Sequence, residues 1–301
     1  MIKVIATDLD GTLLGDDHRL AREEYEAILK ALDAGIRIII TTGRDYAGAL
    51  AALKGFPMQC DYVVASGAEI RDPQGNILQS IHMDKSIFPV IFDIIQRNYR
   101  DKAFLRFCAN GKDYFLGTAE TVHRQIVLET RLFLGQETGM SDEELANLWK
   151  TLITSQTIIL DSVNDLLKLD DPIYKIFISS GDPAVIAALT REMKVFETVA
   201  AASSFPGNLE LTDNRAQKGP VLSAYIQSLG YRMEEVMVLG DSMNDYSMLS
   251  MDFGATVAMG NAMDEVKCVA KYIAKSNTEH GAAECIHAVI RNQCLPYAER
   301  G

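Results

Sequence analysis

Apolar residues along this chain come in two rhythms. In the first eighty or so residues, short unbroken runs alternate with helical stripes. Val4-Ile5-Ala6, Ile36-Arg37-Ile38-Ile39-Ile40 and Tyr62-Val63-Val64-Ala65 are the runs. Between the first two, residues 20–34 carry Leu20, Ile28, Leu29 and Leu32 on one helical face, and Gly35 falls where that helix should stop. A small-residue helix over about 45–53 separates the second run from the third. Runs that are apolar at successive positions fit strands buried on both faces, as in a parallel sheet. Strand, helix, strand, helix, strand predicts a doubly wound α/β sheet.

From about residue 69 the rhythm changes to hairpins mixed with helices. Pro73-Gln74-Gly75-Asn76 and Asn110-Gly111 are hairpin turns. Helices are predicted near 87–98, 119–132, 142–152 and 182–193, with strands near 104–108, 114–116, 174–178 and over parts of 196–211. Ser141 three residues before Glu144 has the capping-box pattern. The first rhythm resumes at Lys218-Gly219-Pro220, with strands at 235–239, 255–259 and 272–274 and a last helix over about 279–292. The expected architecture is a Rossmann-like α/β core formed by residues 1–82 and 213–301. An α+β cap over residues 83–212 is inserted between its halves.

Composition narrows the function classes. The chain has 301 residues, 48% hydrophobic and 23% charged, enough for a substantial core. Its formal net charge of −12 disfavours nucleic acid or an anionic membrane as partner, yet leaves room for a phosphorylated small molecule. No apolar run is long enough to cross a bilayer, and no signal peptide opens the chain, so a cytoplasmic protein is expected. The cysteines, Cys60, Cys108, Cys268, Cys285 and Cys294, are scattered and never spaced as Cys-x-x-Cys, which points to reduced, mostly buried thiols and no zinc site. Nothing in the pattern specifies an oligomer.

Polar residues collect just past the predicted core strands. Asp8 and Asp10 end the first, and residues two apart in a strand share a side. A solvated acidic Asp-Gly turn would account for the pair alone. Thr42, Gly43 and Arg44 follow the second strand, Ser66-Gly67 the third, and Gly240-Asp241-Ser242-Met243-Asn244-Asp245 a later one. In open α/β sheets ligands bind at that edge. Lys218 opens a helix, an unfavourable end for a cation unless it serves an anion site. Several carboxylates with one lysine need a cation to coexist, and oxygen-only donors without histidine favour Mg²⁺. Gly43-x-x-x-x-Gly48 mimics half a P-loop, but Ala49-Leu50 stands where Lys-Ser/Thr is required, so nucleotide binding by that route is rejected.

Asp8-Leu9-Asp10-Gly11-Thr12, Thr41-Thr42-Gly43-Arg44, Lys218-Gly219 and Gly240–Asp245, in this order, resemble the haloacid dehalogenase superfamily of phosphohydrolases. The last hexapeptide and Asn277–Ile286 look like its Cof-type branch, which carries a large α/β cap. The resemblance implies that Asp8 is the nucleophile, forming an aspartyl-phosphate, and that Asp10 is the acid and base. It implies that Asp8, the backbone carbonyl of Asp10, and Asp241 hold Mg²⁺, with Asp245 supporting them directly or through water. Thr42, Gly43 and Lys218 would bind phosphoryl oxygens, Asn244 would contact phosphate or orient Lys218, and Arg44 would face substrate.

Two positions depart from the branch pattern. Ser66 replaces an asparagine after the third strand and is discounted as a ligand, and His280 replaces a common acidic residue. In the cap, Arg106 and His123 are weighed as substrate contacts, and surface or structural roles are preferred for each. The expected activity is Mg²⁺-dependent hydrolysis of a small phosphorylated metabolite, with sugar phosphates as one class. The alternatives are a phosphotransferase or mutase of the same family and a catalytically weak phosphate-ligand-binding module.

Overall fold

Four residues of the first apolar run, Val4–Thr7, form strand β1, and all are buried. The next two runs give β2 (Arg37–Thr41) and β3 (Asp61–Val64), again buried almost throughout. The computed structural model describes residues 1–135, 139–153, 155–205 and 207–292. Among these the chain continues with β4 (Glu69–Arg71), β5 (Ile77–Ser80), β6 (Phe104–Ala109), β7 (Lys112–Leu116), β8 (Gln156–Leu160), β9 (Ile173–Ser179), β10 (Val199–Ala202) and β11 (Asn208–Asp213). It ends with β12 (Val236–Gly240), β13 (Ala255–Ala258) and β14 (Tyr272–Ile273). One compact unit comprises Met1–Arg44, Ala49–Ser80 and the chain from Arg215 on; the other comprises Asp45–Gly48 and Ile81–Asn214.

The first unit is the α/β, Rossmann-like core that the apolar runs predict. Its sheet has the order β14-β13-β12-β1-β2-β3-β4-β5, parallel as far as β3 and antiparallel through β4 and β5. Strand β1 lies at the centre, with Val4 opposite both Val236 and Arg37. Helix Arg22–Asp33 buries Glu24, Ala27, Ile28 and Ala31, one residue round from the expected Leu29 and Leu32, which are half-buried. A short helix at Asp264–Val269 has no counterpart in the sequence reading. Its six residues are too few to show a period.

The second unit is an α+β structure on a sheet of order β10-β11-β9-β6-β7-β8. One face of this sheet carries Leu105, Phe107, Ile176, Ile178, Leu209 and Leu211 into an apolar core with Phe88, Ile91, Ile95 and Leu189. The opposite face carries charge. Arg106 is 7% exposed and pairs with Glu129 (Nε to Oε2, 3.0 Å) and Asp113 (3.0 Å). Its guanidinium stacks 5.0 Å from the Trp149 ring centre and 4.5 Å from that of Phe177. Arg106 is thus part of a buried structural network, whereas His123 is exposed.

Cys60 and Cys285 are buried, Cys108 is half-buried and Cys268 is exposed. Cys294 lies outside the described residues. No helix among the described residues is long and apolar enough to cross a membrane.

Candidate active site

Four parallel strands, β12, β1, β2 and β3, end at one edge, so the loops after them meet there. After β1 the chain makes one wide turn over Leu9–Leu13, with Gly11 at φ 75°. A Cβ on Gly11 would lie 2.4 Å from Asp241 Oδ2, so only glycine lets the two loops approach so closely. The turn is pinned by Thr12, whose hydroxyl donates to Asp241 Oδ1 at 2.9 Å.

Lys218 sits at the centre, fully buried. Its ammonium donates to Asp8 Oδ1 at 2.8 Å and to Asp245 Oδ1 at 2.7 Å. Two features bring it there. A Cβ on Gly219 would come within 2.0 Å of the Ser247 carbonyl oxygen, so glycine lets helix Lys218–Ser228 settle against helix Tyr246–Leu249. Two turns further on, Tyr225 donates its phenol to Asp61 at 2.7 Å, and Asp61 also takes a two-pronged contact from Arg37.

Asp245 turns back on its own loop. Its Oδ2 accepts from the backbone N–H groups of Asp241 (3.0 Å) and Ser242 (3.1 Å). Asn244 is buried, and its Oδ1 accepts from the Ser242 hydroxyl at 2.7 Å. Thr42 is buried beside Arg44, whose backbone N–H donates to the Thr42 hydroxyl at 3.2 Å. Gly43 lies between them, half-buried. Ala65 and Ser66 both adopt left-handed backbone, φ 50° and 60°, a strained conformation concentrated at functional loops.

Arg44 is placed against Asp10, where its guanidinium forks onto both carboxylate oxygens at 2.7 and 2.6 Å. His18 Nδ1 lies 3.1 Å from Asp10 Oδ1. The sequence motifs give Thr12 no task and leave His18 out. Thr12 had a signal in its place beside the two aspartates; His18, in a turn, had none.

The electrostatics divide the carboxylates. Burial pushes Asp8 up to about 8, with Lys218 pulling the other way and Asp245 and Asp10 adding to the rise. Burial, with Asp245 and Asp8, also holds Asp241 well above the usual carboxylate range. Asp10 goes the other way: burial opposes its charge, but the hydrogen bonds from Arg44 and His18 prevail and hold it far below that range. Burial disfavours the Lys218 charge too, yet Asp245 and Asp8 keep it above its ordinary value.

One carboxylate oxygen from each of Asp8, Asp241 and Asp245 lies within 4.8 Å of the others. With three aspartates ionised against Lys218, the cluster carries a formal charge of −2. Hard oxygen donors, a deficit of two positive charges and burial that resists ionisation together suit a divalent cation. A second group, Glu23, Glu24 and His280, also lies within that span, with Nδ1 of His280 3.1 and 3.0 Å from the two oxygens of buried Glu24.

A sequence-family model described as haloacid dehalogenase-like hydrolase matches residues 5–286. The chain is 28% identical over 293 residues to the phosphatase YwpJ of Bacillus subtilis (strain 168), covering 96% of this chain and 100% of that protein. It is 27% identical over 297 residues to the 5-amino-6-(5-phospho-D-ribitylamino)uracil phosphatase YwtE of the same strain, covering 97% and 99%. Among solved structures, a haloacid dehalogenase-like hydrolase from B. subtilis superposes with a TM-score of 0.80 at 26% identity, covering 95% of this chain and 99% of that one. These likenesses support a phosphatase.

Proposed function

The chain belongs to the haloacid dehalogenase-like hydrolase family, and within that family we propose that it hydrolyses small phosphorylated metabolites with Mg²⁺, through an aspartyl-phosphate on Asp8. The observation that carries the reading is the buried Asp8–Lys218–Asp245 chain beside Asp241. It gathers a nucleophile, a cation for phosphoryl oxygens and a metal-fitting oxygen set at the ligand-binding edge of the sheet.

In the first half-reaction a carboxylate oxygen of Asp8 attacks phosphorus and the bond from phosphorus to the ester oxygen breaks. Asp10 supplies the proton that the departing alkoxide takes up. In the second half, Asp10 removes a proton from water, which attacks the phosphorus of the aspartyl-phosphate and frees inorganic phosphate and Asp8. The Arg44 fork keeps Asp10 in the proton-accepting form this second half needs. Protonation of Asp10 for the first half requires that fork to open, and a substrate facing Arg44 gives its guanidinium another anion. Lys218 and Thr42, with the backbone N–H of Gly43, take the phosphoryl oxygens, and Asn244 supports that pocket. Asp8, the Asp10 backbone carbonyl, Asp241 and Asp245 would hold Mg²⁺, which would supply positive charge that favours ionised Asp8 and offsets that of the phosphoryl group.

Sugar phosphates are the first substrate class to try; the substrate in the name of YwtE carries its phosphate on a ribityl chain, a polyol of the same chemical kind. The test is phosphate release from an aryl phosphate and a panel of sugar phosphates, with MgCl₂ or with EDTA. Release with MgCl₂, its loss in EDTA and its loss in Asp8→Asn are expected. Undiminished release by Asp8→Asn would overturn the mechanism.

A further inference from the structure

The loop at residues 259–263 lies outside every motif used so far, yet it is bolted to both acidic loops. Main-chain bonds tie it to the Asp241 side: Met259 N–H donates to the Gly240 carbonyl at 3.0 Å, and Met263 N–H to that of Asp241 at 2.9 Å. A side chain ties it to the Asp8 side, where Asn261 Nδ2 donates to the Gly11 carbonyl at 2.8 Å. Gly11 is the residue whose Cα approaches Asp241 too closely for any Cβ.

Asn261 is itself held. Its Oδ1 accepts from the backbone N–H of Asn277 at 3.0 Å. Asn277, 7% exposed, donates through Nδ2 to the Leu14 carbonyl at 2.9 Å and to Asp16 Oδ1 at 3.1 Å. Gly260 N–H donates to the Lys275 carbonyl at 3.0 Å, so the segments bearing the two asparagines are joined by their backbones as well. The turn that presents Asp8 and Asp10 is therefore gripped at Gly11, within its bend, and at Leu14, where it ends.

We propose that Asn261, backed by Asn277, is a positioning residue that sets the gap between the Asp8–Thr12 turn and Asp241. The inference rests on the metal-dependent reading of that cluster. Thr12 already links the turn to Asp241 by a side chain that moves with the Asp241 carboxylate. Asn261 differs because its amide grips the Gly11 backbone from a loop that is itself main-chain bonded to Gly240 and Asp241, and so defines where the two carboxylates can stand before any ligand arrives. A three-ligand oxygen site is sensitive to such spacing, and a displacement of about 1 Å in a reacting group costs roughly 100-fold in rate.

The chosen variants are Asn261→Ala and Asn261→Asp. Asn261 is exposed, so neither change opens a buried cavity. The aspartate keeps the acceptor for Asn277 and loses the donor to Gly11. Three quantities are measured: kcat and KM for an aryl phosphate, the Kd of MgCl₂ by calorimetry without substrate, and Tm in EDTA. Both variants are expected to lose roughly 10- to 100-fold in kcat, with KM changed far less. Both should bind MgCl₂ about 10-fold more weakly, with Tm in EDTA close to wild type. Asn277→Ala should repeat the weaker binding. Wild-type kcat and MgCl₂ affinity in Asn261→Ala, near-normal behaviour of Asn261→Asp, or a kcat loss matched by a falling Tm would each overturn the proposal. A wild-type protein that neither binds MgCl₂ nor releases phosphate would instead overturn the underlying reading.

Discussion

Lys218 offers the sharpest test of how the site is held together. In Lys218→Met the side chain keeps most of its length and loses its charge. Its nitrogen lies 2.8 Å from Asp8 and 2.7 Å from Asp245, with side-chain exposures of 0%, 5% and 0% for the three residues. At a charge separation of about 4 Å and an effective dielectric of about 20, each ion pair is worth about 4 kcal/mol. The loss is smaller than twice that, because burial pushes Asp8 up to about 8, so at neutral pH it is largely protonated and contributes little as an ion pair. Removing one partner of a buried pair costs about 3–5 kcal/mol. At roughly 2–4 °C per kcal/mol, the core should melt some 6–20 °C lower in EDTA at neutral pH. Phosphate release should fall by about 100- to 1000-fold, the usual effect of removing a preorganised group facing developing negative charge. Thermal and urea unfolding of Lys218→Met, Asp245→Asn and the double variant complete the cycle. The double variant should be more stable than the sum of the single losses predicts, since Asp245→Asn removes a charge that Lys218→Met strands. Lys218→Met within about 1 kcal/mol of wild type, or strict additivity in the cycle, would refute the account.

Arg106→Met should cost about 3–5 kcal/mol in the second unit, because it strands Asp113 and Glu129, whose side chains are 3% and 1% exposed; limited proteolysis should cut that unit first, and adding Glu129→Gln should recover part of the loss. The Glu24 contact raises the His280 pKa, so its contribution to stability is complete below about pH 6.5 and is lost as pH rises through the higher folded value. The ring is partly exposed and the effect correspondingly small, and urea unfolding across that window should lose this component of its pH dependence in His280→Ala.

The core was legible because its strands bury both faces and leave no polar alternation to confuse the pattern. Ile36–Thr41 reads as strand for that reason, and the polar groups that cannot enter such a sheet are left at its ends. The order of the strands in the second unit was not legible. Turn chemistry announces the β6–β7 hairpin, but β6 also pairs with β9, and no local signal joins Arg106 to Phe177. Arg106 illustrates the same difficulty for a side chain, since its burial follows from the Trp149 ring and the Glu129 carboxylate, both distant in sequence. Within the site, residue types and spacing pointed to Asp8, Asp241, Asp245 and Lys218 as a group. The Arg44 fork on Asp10 escaped, because an arginine after a strand looks the same whether it faces substrate or a carboxylate. Asn261 and Asn277 escaped because what they hold is a carbonyl, which every residue has.

The central place of β1 has a consequence for how the protein is made. Its two sheet neighbours are β2, which follows it closely, and β12, with Val4 opposite Val236. At about 5–20 residues per second on the ribosome, roughly 10–50 s separate the synthesis of these two strands. The second unit is translated in that interval and can fold first. Asp8 is made before the second unit, while Lys218, Asp241 and Asp245 follow it. The nascent chain therefore carries its central strand with one edge unpaired while the second unit is synthesised. The carboxylate cluster closes only after the ribosome has passed Asp245, so the site cannot form on a nascent chain that stops short of it.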